Sequence, residues 1–150
     1  MRVRAIAAAA VASLVVAAPA GAVLVLQQGM AGIRLGMTQA NVRAKLGKPA
    51  SVKHGANEFG AFTELRYPGL RVTFQGNATV TAIRTGARRE RTARGIGVGS
   101  TVAAVRARVP GVRCEPGHCH VGRFLPGRRV TDFFIRNGRV SSITVGFVID

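Results

Sequence analysis

The stretch Cys114-Glu115-Pro116-Gly117-His118-Cys119-His120 holds both cysteines of the chain and two of its three histidines. Two chemistries are open to it. Pro116-Gly117 is the central pair of a tight turn, the proline fixing φ and the glycine accepting φ > 0. With Glu115 and His118 flanking that turn, Cys114 and Cys119 face each other across a hairpin. They are then close enough for a disulfide, which an oxidising compartment would form. Alternatively, His118, Cys119 and His120 crowd one spot as metal ligands. That spacing matches no closed zinc pattern and no second ligand pair occurs in the sequence. The disulfide is the expectation; a metal or other cofactor is not.

Two further chemistries fail on spacing. The segment GIGVGST, residues 95–101, leads glycines into a helix as phosphate loops do, but it lacks the Walker spacing and its lysine. No G-x-S-x-G occurs, and the only aspartates are Asp132 and Asp150. Glu58, Glu64, Glu90 and Glu115 lie on different segments, so paired carboxylates for acid–base work are not expected. His54, in a Gly-Ala-Asn context, reads as a solvated turn residue. No catalytic residue emerges, and the chain is not expected to be an enzyme.

Charge points to the partner instead. Among 150 residues, 22 are Lys or Arg against 6 Asp or Glu, a net charge of +16. Such a balance favours a protein with an acidic surface, anionic lipid or wall polymer. Nucleic acid is disfavoured, because there is no Trp and only one Tyr to stack between the basic side chains. The densest run, RRERTAR at 88–94, reads as a solvated basic linker. At the N-terminus, a basic start and an apolar run lead to A-x-A sites at Ala18-Pro19-Ala20 and Ala20-Gly21-Ala22. Residues 1–22 therefore read as a signal peptide, with an uncleaved anchor as the alternative. Either way the remainder is expected outside the cytoplasm, secreted or in the cell envelope.

The elements that must position these residues are written twice. Between Gly32–Lys45 and Gly95–Arg108, eight of fourteen positions are identical. In each copy a glycine (Gly36, Gly99) precedes a threonine (Thr38, Thr101) that can cap a two-turn helix. These four residues are assigned to forming the helix start. Alternating apolar residues then predict antiparallel strands at 63–67, 70–74 and 79–84, and, after the cysteine hairpin, at 130–136 and 139–148. Asn137-Gly138 is the strongest hairpin signal. Residues 51–62 and 122–129 read as loops that differ between copies. The expectation is an α+β fold of two tandem helix-plus-three-strand antiparallel repeats, residues 32–86 and 95–150, joined by a basic linker at 87–94, with the helices on one face of the sheet.

The motif Gly32-Ile33, Gly36-Met37-Thr38, Val42, Leu46-Gly47 and Pro49, followed by FFIRNGRVSSITV, resembles the small BamE (SmpA/OmlA) envelope family. Two copies in tandem are similar to the β-lactamase inhibitor protein (BLIP) fold. That resemblance implies helices packed on an antiparallel sheet whose free face or loops bind another protein, without catalysis.

Strand parity identifies that face. If Leu65, Tyr67, Leu70, Val72 and Phe74 point inward, Glu64, Arg66, Arg71 and Thr73 point away. In the second copy inward Phe133 and Ile135 leave Asp132, Phe134 and Arg136 outward. Phe134 is then either an interface anchor among arginines and threonines or is buried by a bulge or a second layer. Arg66, Arg71, Thr73, Phe134 and Arg136 are the candidate partner-binding residues.

Overall fold

Thr38 and Thr101 start the two helices in the same way. Each holds extended backbone, and its hydroxyl accepts from the third amide onward, Asn41 N at 3.3 Å and Ala104 N at 3.2 Å. Helix α1 runs Gln39–Leu46 and α2 runs Val102–Arg108. Gly36 and Gly99 have φ of +87° and +92°, a region in which a Cβ is disfavoured. Their amides donate to the Val80 and Val140 carbonyls at 2.9 and 2.8 Å, and the Val80 and Val140 amides donate back to Met37 and Ser100. The repeat in sequence is thus a repeat in backbone hydrogen bonds. Thr38→Ala and Thr101→Ala are each expected to cost about 1 kcal/mol. The losses should add in the double variant, as chemical denaturation would show.

The structure, a computed structural model, describes residues 24–150; the expected leader or anchor at 1–22 lies outside them. A small hairpin, β1 (Gly29–Met30) and β2 (Ile33–Arg34), precedes α1. Four strands follow that helix: β3 (Ser51–Asn57), β4 (Gly60–Tyr67), β5 (Leu70–Gln75) and β6 (Ala82–Thr85). Four more follow α2: β7 (Arg113–Glu115), β8 (His118–Val121), β9 (Arg129–Arg136) and β10 (Arg139–Phe147). All eight form one antiparallel sheet in the order β3-β4-β5-β6-β10-β9-β8-β7. Among the described residues no helix is long and apolar enough to cross a membrane.

The expected pair of helix-plus-three-strand repeats is therefore not the fold. Among the described residues a single large sheet dominates, with two short helices, and β6 pairs with β10 so that the two halves share it, Ile83 opposite Val145. The strands missed in the sequence have a physical reason for being silent. β3 lies at the sheet edge and is exposed almost throughout, so its side chains have no buried face to alternate against. The cysteine segment forms the expected hairpin, strands β7 and β8, with Glu115 opposite His118 and Cys114 opposite Cys119.

One face of the sheet carries the core. Leu65, Val72, Phe74, Ile83, Ile143 and Phe133 are fully buried and cluster with Val42 of α1 and Val105 of α2. Both helices are too short to persist alone, and this burial holds them to the sheet. The segment 87–94 is not uniformly solvated. Glu90 is completely buried, its Oε1 accepting from Arg89 Nε at 3.0 Å, and Leu24 N donates to Arg91 O at 2.7 Å. The glycine-rich stretch after it is used internally: Gly97 N donates to Ser100 Oγ at 3.1 Å and Gly99 N to Val140 O.

Candidate functional site

On the outer face, opposite to the helices, cross-strand register lines up three arginines. Arg66 of β4 faces Arg71 of β5, and Arg71 faces Arg84 of β6. Like charges placed directly opposite cost folding energy, on the order of 0.2–1 kcal/mol per pair. Only Arg66 has a carboxylate within reach, Glu64 Oε1 at 2.6 Å from its Nε. Arg71 and Arg84 are exposed. Arg84 Nη2 donates to Ser142 Oγ at 3.0 Å, and its guanidinium lies 5.0 Å from the centroid of the Phe134 ring. Arg66, Arg71, Arg84 and Ser142, with Tyr67, line a polar cleft of about 520 Å³.

The sheet thus brings together Arg66, Arg71 and Thr73, with Thr73 opposite Glu64 and Ala82. Phe134 lies on the same face, half-buried, and opposite Ser142. Parity holds there, since its neighbour Phe133 is fully buried in the core. Arg136 is not brought to the cleft: it sits beside the Asn137-Gly138 turn, opposite Arg139. Arg84, which joins the arginine row to Phe134, was not among the sequence candidates. Its signal was present in Ala82-Ile83-Arg84-Thr85, where buried Ile83 and Thr85 alternate with outward Ala82 and Arg84.

A second cluster forms on the same face at the far side of Phe134. His118 of β8 lies opposite Phe134 and His120 opposite Asp132. His118 Nε2 is 3.3 Å from Glu115 Oε2, and His118 Nδ1 is 3.4 Å from Asp132 Oδ1. The rings of His118 and His120 are 5.5 Å apart, and the Phe124 ring stacks over the first and meets the second edge-on. Burial pushes the Asp132 carboxyl above the usual aspartate range, with His118 and His120 partly opposing the shift. The sheet register therefore brings together Glu115 and Asp132, which the sequence leaves on separate segments. Behind them, Cys114 and Cys119 form the expected disulfide.

No family model matches the chain, and no curated protein matches it in sequence. Among solved structures it is similar to an extracellular protein containing a SCP domain from Bacillus anthracis str. Ames. The TM-score is 0.53 at 7% identity over 75% of this chain and 44% of that one, so the chain spans under half of that protein's length. YfeY from Escherichia coli matches with TM-score 0.49 at 10% identity, over 81% and 95% of the two chains. A DUF4309 family protein, YjgB from Bacillus subtilis subsp. subtilis str. 168, matches with TM-score 0.49 at 16% identity, over 85% and 88%. The first likeness defines a small sheet-rich fold and nothing finer. That likeness gives no specific support to the BamE or β-lactamase inhibitor protein families, which the Gly-Met-Thr helix motif resembles.

Proposed function

We propose that the chain is an extracytoplasmic, non-enzymatic binding module that engages a protein with an acidic surface through the outer face of its sheet. The observation that supports this most is the row Arg66, Arg71 and Arg84 on three adjacent strands, with Phe134 beside it. Cross-strand repulsion makes the row a cost to folding, and a carboxylate-bearing partner would relieve it. Guanidinium forks bind carboxylates in a bidentate way that lysines cannot match, and a half-buried aromatic supplies apolar area at the centre. A disulfide within so short a hairpin agrees with an oxidising compartment. The Gly-Met-Thr motif supports a BamE- or BLIP-like way of binding by the free sheet face and loops.

Spread charge favours a rival, electrostatic attachment to anionic lipid or wall polymer. A second basic cleft of about 520 Å³, lined by Gln27, Arg123, Arg128 and Arg129, belongs to that reading. The two differ in their response to salt. Immobilised protein is expected to retain one acidic protein from the cell envelope at moderate salt. Arg71→Glu combined with Arg84→Glu should weaken that complex at least about tenfold. Retention only of lipid or polymer, lost uniformly as salt rises, would overturn the proposal.

A further inference from the structure

Three buried side-chain atoms lack a hydrogen-bond partner among the described residues: Glu90 Oε2, His120 Nδ1 and Asp132 Oδ1. Two of the three belong to the cluster at the β7–β8 hairpin. His120 is only 6% exposed, so its orphaned nitrogen is withdrawn from bulk water. A polar group in that position lowers stability unless something else satisfies its surroundings.

One ligand atom each from Glu115, His118 and His120 lies within 4.8 Å of the others. Bonds of about 2.0–2.1 Å to imidazole and carboxylate place tetrahedral ligands about 3.4 Å apart. Glu115 Oε2 and His118 Nε2, at 3.3 Å, already stand at that separation. The other edges, at most 4.8 Å, need a closing movement of up to about 1.4 Å to reach that separation. The backbone supplies the rigidity: Glu115 and His118 are direct cross-strand partners, and the Cys114–Cys119 bond ties the adjacent pair. His118 and His120, two apart on one strand, necessarily share a face.

We infer that Glu115, His118 and His120 form a binding site for a divalent transition-metal ion of the zinc class, with Asp132 orienting His118. Two imidazoles and one carboxylate are the donor set that zinc, copper and nickel share. Asp132 Oδ1, 3.4 Å from His118 Nδ1, stands where the outer carboxylate of a carboxylate–histidine–metal arrangement stands. It is a positioning residue, leaving Nε2 free for the ion. Phe124 shields the imidazoles on one side. Arg113, cross-strand from His120, and Arg84, stacked on Phe134 beside His118, are opposing charges, and both are exposed. Three protein ligands leave a coordination position open on the outer face.

This site is independent of the arginine row, so either can fail alone. Untagged oxidised protein, titrated with Zn²⁺ in a calorimeter, is expected to bind one ion per chain. Titration with Co²⁺ should give the visible absorption of a four-coordinate site. His118→Gln and His120→Gln should each reduce Zn²⁺ affinity at least tenfold, and Asp132→Asn about tenfold. His54→Gln, on β3, should leave it unchanged. If buried His120→Gln does not fold, His118→Gln, whose side chain is 29% exposed, carries the test together with imidazole NMR shifts in the unaltered protein. Failure of Zn²⁺, Ni²⁺ and Cu²⁺ to bind, or binding that survives His118→Gln, would overturn the site.

Discussion

Phe133→Ala is expected to remove about 3–5 kcal/mol of stability, a large share of what a domain of this size possesses. Phe133 is completely buried on the helix-bearing face, opposite Ile143 on β10. Truncation there leaves a cavity in the layer between sheet and helices. Phe134→Ala, one residue later, should cost only about 1 kcal/mol, because that ring is half-buried and loses mainly its contact with Arg84. The order should reverse for binding: Phe134→Ala weakens the acidic-partner complex, whereas Phe133→Ala acts only through folding. Urea unfolding of both variants, beside partner retention at equal folded concentration, separates the two faces. Equal stability losses would mean that strand parity in β9 is wrong.

Gly97→Ala is expected to destabilise by roughly 1–3 kcal/mol, although Gly97 has no unusual backbone conformation. A Cβ there would lie 2.6 Å from the Glu90 carbonyl oxygen and 2.8 Å from Arg91 Cγ. Backbone cannot withdraw cheaply, because Glu90 is buried and an isolated bridge joins Arg91 to Gly97. Gly86→Ala makes the comparison, since a Cβ there meets open space; its effect should stay within about 0.5 kcal/mol. Trypsin offers a second measurement. The segment 88–94 should resist cleavage in the parent protein and become sensitive in Gly97→Ala. A parent chain cut rapidly at Arg91 would restore the picture of a solvated linker.

Together these features describe a division of labour between the two faces. The helix-bearing face stores the apolar contacts, so the outer face is free to carry repelling arginines and a cluster of imidazoles and carboxylates. Phe134 stands between the two polar groups, against Arg84 on one side and opposite His118 on the other. A partner seated on Phe134 would meet guanidinium groups and the histidine cluster at once.

Local chemistry was legible in the chain alone wherever neighbours in sequence are also partners in space. The Thr38 and Thr101 caps, the Pro116-Gly117 turn, the Asn137-Gly138 turn and the Cys114–Cys119 pairing each involve residues at most five apart. Their geometry follows from φ preferences and short-range hydrogen bonds, and no distant contact is needed. The inward residues of β5 were equally plain, because Leu70, Val72 and Phe74 alternate against a buried face.

Long-range pairing decided the rest. That β6 meets β10, making one sheet of what reads as two repeats, depends on residues 60 apart, Arg84 opposite Thr144. β3 was invisible because an exposed edge strand leaves no hydrophobic period. Phe74 and Phe134, also 60 residues apart, differ in placement: Phe74 is buried, Phe134 faces outward, and Phe133 fills the inner position, as strand parity alone predicts. The burial of Glu90 and the gathering of Glu115, His118, His120 and Asp132 arise in the same way. Only strand register places side chains from separate segments on one face, and register is set by packing across the whole sheet.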